Sequence, residues 1–249
     1  MPITFLSTDA HAVNYLRQLL SDRYSSISSE LKSCISFEYS SAEIKSIDDL
    51  AKYDVLVSPC NSYGDLSGGI DKVYYNLLGK KKLQKRVIDD IKENCFGEVH
   101  VGSSTMISLS GLCDGNLSND SNNSTNSDSN SPKHLIIAPT MVVPTSLDAK
   151  SRNPYLFTRA VFRRIICNKL ADKNILCPIP CIGVGGMDYR VVAKQMKLAI
   201  QSMHQHGLIY DIHMSDKKEE SSCPYNFIYA NLPIQNMKMA NTYMLDPHM

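Results

Sequence analysis

What this sequence most lacks is an excess of charge of either sign. Its 249 residues include 26 Lys and Arg against 25 Asp and Glu, a net charge of +1, with a pI near 7.6. Neither nucleic acid nor a membrane surface is therefore an expected partner. Long apolar runs are missing too: none approaches the roughly 18 residues that would span a bilayer. The first stretch, MPITFLSTDAHAVNYL, has no basic start and no long apolar core. No secretory signal is expected there, and the expected location is cytoplasmic, nuclear or both. Internal repeats are absent.

Cysteine is present without the spacing that would give it a special role. Cys34, Cys60, Cys95, Cys113, Cys167, Cys177, Cys181 and Cys223 are scattered along a long chain, which favours reduced thiols over disulfides. Cys177 and Cys181 are spaced C-x3-C, but no second pair follows and no His partners are clear. His204 and His206 face different sides of a helix, and with His213 they read as solvated surface. No metal and no cofactor are expected.

The chain is 43% hydrophobic, which can fill a sizeable core, and strand-like and helix-like segments alternate along most of it. Strands are expected at Ile3–Leu6, Cys34–Tyr39, Asp54–Ser58, Gly97–Leu109 (one strand, or two with a bulge), Lys133–Met141 and from Leu176. Helical spacing of apolar residues predicts helices at His11–Leu20, Lys72–Leu78, Lys81–Asn94, Tyr155–Ala171 and Tyr189–Met203. This alternation predicts one α/β domain over residues 1–249, a sheet between helix layers. Two stretches stand apart from the core. The Ser/Asn-rich run at about 111–132 cannot bury apolar surface and is expected to be a disordered insertion at a hairpin tip. After about residue 210 a weakly structured tail is expected, from which Tyr225–Ile234 could return as an edge strand.

Two loops follow strands and precede helices, the position where α/β folds bind ligands. The first, SPCNSYGDLSGGID (Ser58–Asp71), holds Gly64, Gly68 and Gly69. The second, within LCPIPCIGVGGMD (Leu176–Asp188), holds Gly183, Gly185 and Gly186. A diphosphate needs several backbone N–H donors at short range, and glycine leaves the approach open. A helix starting just behind adds its positive end. The plainer reading makes each loop a tight turn. Neither is a Walker loop, since the Gly-Lys-Ser/Thr ending is missing. GVGGMD has Asp188 where a dinucleotide fold has its third glycine.

The stretch VLVSPCNSYGDLSGGID resembles the first signature of macrodomains, the ADP-ribose-binding modules: a buried strand ending in asparagine, then a glycine cluster and an aspartate. HLIIAPTMVVPT, NPYLFTRAVFRRI and IPCIGVGGMDYRVVAKQM are similar to the strand, helix and phosphate loop that follow in that family. The resemblance covers roughly Asp54–Met203 and is closest to a divergent macro-like branch, with Ser-Pro-x-Asn-Ser in place of Asn-Ala-Ala-Asn. It implies a three-layer sandwich with a mixed central sheet. The implied ligand is ADP-ribose or ADP-ribose 1''-phosphate, with hydrolysis of the terminal phosphate as the leading activity. A non-catalytic ADP-ribose-binding module or a hydrolase acting on an ADP-ribosylated protein are the alternatives.

The resemblance also implies residue roles. Asn61 would meet the distal ribose, Gly68 and Gly69 would lie near it and its phosphate, and Ser62 and Gly64 would also contact the ligand. Gly183, Val184, Gly185 and Gly186 would wrap the diphosphate. Glu43 or Asp48 would meet the adenine. A carboxylate, Asp71 or Asp65, would activate water beside Asn61. From the residues alone, Asn61 suits a sugar diol or could instead form an Asx-turn, and Asp71 could be the N-cap of the helix from Lys72. Asp65 would repel phosphate unless it faces away or takes up a proton. Cys60 reads as a small buried residue, since no histidine can be assigned to activate it. The basic run GKKKLQKR (Gly79–Arg86) reads as the solvated face of an amphipathic helix.

Overall fold

Strands β1 (Ile3–Ser7), β2 (Ile35–Tyr39), β3 (Val55–Ser58), β4 (Thr105–Ser108), β5 (His134–Ile137) and β6 (Ile175–Pro178) form one sheet in the order β2-β1-β6-β3-β5-β4. All neighbours run parallel except β4, which lies antiparallel to β5 at an edge. The sheet is thus mixed. The computed structural model describes residues 2–22, 27, 29–39, 44–112 and 131–205, all within the compact unit Met1–Ile212. The expectations for Glu43, for most of the Ser/Asn-rich insertion, for His206 and for everything from residue 210 onward fall outside these residues.

Parallel strands are covered on both faces and so read as continuous apolar runs. All of Val55–Ser58 and all of Ile175–Pro178 are buried. The strand period of two then divides them between layers. Leu6, Leu56, Leu135, Ile137 and Leu176 share a core with Tyr74, Leu78, Leu83, Val87 and Ile91. Those five lie on or next to helices α3 (Gly69–Leu77) and α4 (Lys81–Asn94). The alternate residues Phe5, Val55, Val57, Ile136, Ile175 and Cys177 are also buried. On this second side lie α1 (Ala10–Ser21), α5 (Asn153–Cys167) and α6 (Tyr189–Gln205), with α6 packed against both α1 and α5. A short α2 (Ser29–Ser33) precedes β2. The result is a three-layer α/β sandwich.

The inner stripe of α6, namely Val192, Met196, Ala199, Ile200 and Met203, is buried throughout. The basic helix α4 turns Leu83, Val87 and Ile91 inward. Outward, Lys85 pairs with Asp89 one turn on, and Arg86 donates to the carbonyls of Ser108 and Ser110.

Several boundaries differ from the sequence expectation. The third helix begins at Gly69 rather than Lys72, with Gly68 as its N-cap. The helix expected to reach Ala171 ends at Cys167. Lys169 adopts φ +53° there, and the Leu170 N–H returns to the Ile165 carbonyl at 3.0 Å, a left-handed helix stop. Ile166, in the last turn of that helix, is half-buried. Of the stretch Gly97–Leu109, Thr105–Ser108 alone forms a ladder with the sheet, because Gly102 at φ +94° turns the chain before it. Among the described residues no helix is long and apolar enough to cross a membrane.

Candidate functional site

The loops after β3 and β6 open into one cleft of about 500 Å³ at the carboxyl ends of the strands, well within the size range of small-molecule sites. Gly68 and Gly69 line it from the first loop, and Gly183, Val184 and Gly185 from the second. Asn61, Asp65 and Asp71 line it as well. The sheet order explains the meeting, since β3 and β6 are parallel neighbours.

The first loop is shaped mainly by its own polar groups. Asn61 Oδ1 accepts the backbone N–H groups of Tyr63 and Asp65, each at 3.1 Å. The Asx-turn reading of Asn61 therefore holds for its carbonyl. Its amide Nδ2 makes no hydrogen bond with the described residues, and Asn61 lines the cleft. Asp65 gives both carboxylate oxygens to Ser67, through the N–H at 3.0 Å and the hydroxyl at 2.8 Å. Gln84 reaches up from α4 and clamps the loop twice: it accepts from Leu66 N and donates to the Gly64 carbonyl at 2.7 Å.

Three residues expected at the ligand do not line the cleft. Ser62 is fully buried, its N–H held by the carbonyls of Met141 and Val142 and its carbonyl by Val99 N. Gly64 is a packing residue. It sits at φ +71°, and a Cβ there would lie 2.5 Å from Val87 Cγ1 and 2.6 Å from Ile91 Cδ1. Gly186, at φ +62°, closes a turn by donating to the Gly183 carbonyl. The cleft-lining glycines divide further. A Cβ on Gly68 or Gly183 would meet nothing within 4 Å, whereas one on Gly185 would lie 2.6 Å from the Cys181 carbonyl oxygen. Gly185 is thus needed for the loop's own closure, and Gly183 leaves space open to the cleft.

Asp71 is not the N-cap of α3. It lies within the first turn, is 7% exposed, and accepts a hydrogen bond from the Ser58 hydroxyl at 2.6 Å. Burial pushes its carboxyl up to about 7; the Ser58 bond opposes this and the neighbouring Asp65 charge adds to it. Oδ2 has no hydrogen bond among the described residues and is not sealed off, so it is the oxygen presented to the cleft. An acid poised near neutrality in a cleft is suited to proton transfer. Cys60 also lines the cleft, but burial drives its thiol strongly upward, which removes it as a nucleophile. Cys60, Cys95, Cys177 and Cys181 carry free thiols, and burial pushes Cys181 up to about 12. Among the described residues no group of three or more His, Cys, Asp or Glu could hold a metal ion.

Other lining residues carry no glycine signal. Ser7 ends β1 and Thr8 and Asp9 follow it, Ile44 precedes β3, and Thr140 and Pro144 follow β5. Asp9 caps α1, its Oδ1 accepting from His11 N at 2.8 Å and Ala12 N at 3.3 Å. The strand-then-cap pattern in ITFLSTDA was a readable helix start, but its place beside β6 depends on sheet order. Asp48 is exposed in a short 3-10 turn and does not line the cleft.

A family model described as a macro-like domain matches residues 12–214. The chain belongs to that family. Solved structures similar to it include the macrodomain of Mycobacterium tuberculosis DarG, at 19% identity over 61% of this chain and 84% of that one, with a TM-score of 0.44. A mutant Oceanobacillus iheyensis macrodomain with ADPR matches at 16% identity over 63% and 75%, TM-score 0.46. The Trypanosoma brucei macrodomain in complex with ADP-ribose matches at 12% over 77% and 76%, TM-score 0.43.

Two stability outcomes follow from this geometry. Replacing Gly64 with Ala should destabilise the fold by roughly 2–4 kcal/mol in urea titrations, through overpacking and a left-handed backbone. Asp71→Asn should do the opposite above pH 7. The folded carboxyl titrates near 7 and the unfolded one near 4. The folded state therefore holds the extra proton between those values, and stability falls as pH rises through that window. Removing the charge should recover up to about 4 kcal/mol at pH 8 and nothing at pH 4, read as the difference in melting behaviour from wild type.

Proposed function

We propose that this cleft binds ADP-ribose or a phosphorylated derivative, and that its reaction is hydrolysis of ADP-ribose 1''-phosphate to ADP-ribose and inorganic phosphate. One observation carries the binding reading: two glycine loops, on neighbouring parallel strands, line the same cleft. Membership of the macro-like family supports the choice of ligand.

The diphosphate lies between the open face of Gly183–Gly185 and the start of α3 at Gly68 and Gly69. Backbone N–H groups and the helix dipole compensate its charge there. Asn61 Nδ2 donates to a hydroxyl of the distal ribose. The adenine end extends over β1, with Ile44 as an apolar wall and Asp9 as the acceptor available to an exocyclic amine. In hydrolysis the Asp71 carboxylate removes a proton from water as its oxygen bonds to phosphorus. The bond from phosphorus to the ribose 1''-oxygen breaks, and that oxygen leaves protonated by solvent. No proton could be taken by Asp71 while it is neutral, so the reaction needs its ionised form.

Titration calorimetry with ADP-ribose tests the ligand. Gly183→Glu should weaken binding at least 100-fold with little change in melting temperature, because its side chain enters open space. Gly185→Glu is uninformative, since it collides with Cys181. Asn61→Asp, which retains an acceptor for the loop but loses the amide donor, should weaken binding at least tenfold. Unchanged affinity in both informative variants would exclude this cleft as the binding site. Phosphate release from ADP-ribose 1''-phosphate tests the chemistry. The value of kcat should rise with pH through about 7 and then level off, and Asp71→Asn should lower it by about 10²–10⁴. Binding without phosphate release identifies a binding module.

A further inference from the structure

The hydroxyl of Ser58 is fully buried at the end of β3, thirteen residues before Asp71, and donates to Asp71 Oδ1 at 2.6 Å. It does not line the cleft. Its chemical effect must therefore pass through the carboxylate. The bond ties the last residue of a central strand to the first turn of α3 and closes the base of the loop between them. It also divides the two carboxylate oxygens. Oδ1 is engaged below and Oδ2 is left toward the cleft.

The groups facing Asp71 give it no other support. Asp65 repels it from the loop, the Cys60 thiol stands beside it, and Tyr74 lies one turn further along α3. Among the described residues no cation acts on it. A buried carboxylate with no cation depends on hydrogen bonds for both its ionisation and its orientation.

Resting on the hydrolytic reading above, we propose that Ser58 is a positioning residue, whose hydroxyl fixes the rotation of the Asp71 carboxylate so that Oδ2 meets the attacking water. A serine here can act in this way because strand alternation turns residue 58 to the same side of the sheet as Leu56, toward the helix layer that holds Asp71. Alanine at this position would preserve the strand and remove only the donor. Threonine would retain the donor on a β-branched scaffold suited to a strand.

The experiment uses the full chain and ADP-ribose 1''-phosphate. In Ser58→Ala, the loss of a bond that favours the ionised form should move the rising limb of kcat to higher pH by about one pH unit. At pH 6.5 kcat should fall about tenfold or more while KM changes less than threefold. Ser58→Thr should restore the limb. A purely structural role predicts something else: equal losses at every pH, weaker ADP-ribose binding, or no shift of the limb at all, and any of these overturns the proposal. If wild-type protein releases no phosphate, the hydrolytic reading fails separately. The hold on Asp71 is then read from the carbon-13 shift of its labelled carboxyl. An upward shift of its titration midpoint in Ser58→Ala, reversed in Ser58→Thr, supports the bond's control of Asp71, and an unmoved midpoint refutes it.

Discussion

The site depends on where β6 enters the sheet. It lies between β1 and β3, parallel to both. From the carboxyl end of β3 the chain runs to α3 on one face of the sheet. From the same end of β6 it runs to α6 on the other. Two neighbouring strands whose outgoing connections part to opposite faces leave a crevice between the loops, the usual ligand position in α/β sheets. Had β6 been added at an edge, the same two glycine loops would have been ordinary turns far apart.

Within that crevice glycine serves two different ends. Gly64 permits a left-handed turn to press against Val87 and Ile91, and Gly185 permits the second loop to close over the Cys181 carbonyl. These positions shape the loops. Gly68 and Gly183 have open space where a side chain would be, and what they supply is access to backbone donors. A count of glycines does not separate these roles. The division also explains why the loops can be polar and glycine-rich without being loose. Asn61, Gln84 and Asp65 each close a local hydrogen-bond ring around the first of them.

Much of the architecture was legible in the residues. The four buried positions of Val55–Ser58 and the stripe of α6 are direct consequences of apolar runs and helical periodicity. The pairing of the two glycine loops was legible as a motif, and through its resemblance to a known family. What could not be read was what depends on sheet order and on helix starts. Asp9 and Thr140 enter the cleft only because β1 and β5 flank β6 and β3. Asp71 reads in sequence as a cap, since an aspartate just before an apolar helical run is the ordinary start signal. The helix starts three residues earlier, at Gly69, and that carries Asp71 into the first turn and into the interior. Ser62 had the opposite fate: next to the cleft-lining Asn61 in sequence, it is turned into the core by its bonds to the β5 loop.

Three aspartates near helix starts differ sharply in their surroundings. Asp9 and Asp188 bond to backbone N–H groups at the starts of α1 and α6, and Asp188 is also paired with Arg190, which holds its carboxyl down to about 2. Both are satisfied charges that support their helices. Asp71 has a similar helical location but is buried, has no cation beside it among the described residues, and has like charge nearby. A carboxylate serving stability alone would be better placed in solvent or beside an arginine, since burying an unpaired charge is costly. Its one compensating contact among the described residues, the Ser58 hydroxyl, leaves the second oxygen unbound at the cleft. On the proposed hydrolytic reading, stability lost at neutral pH is exchanged for a proton acceptor at the cleft, where the two glycine loops converge.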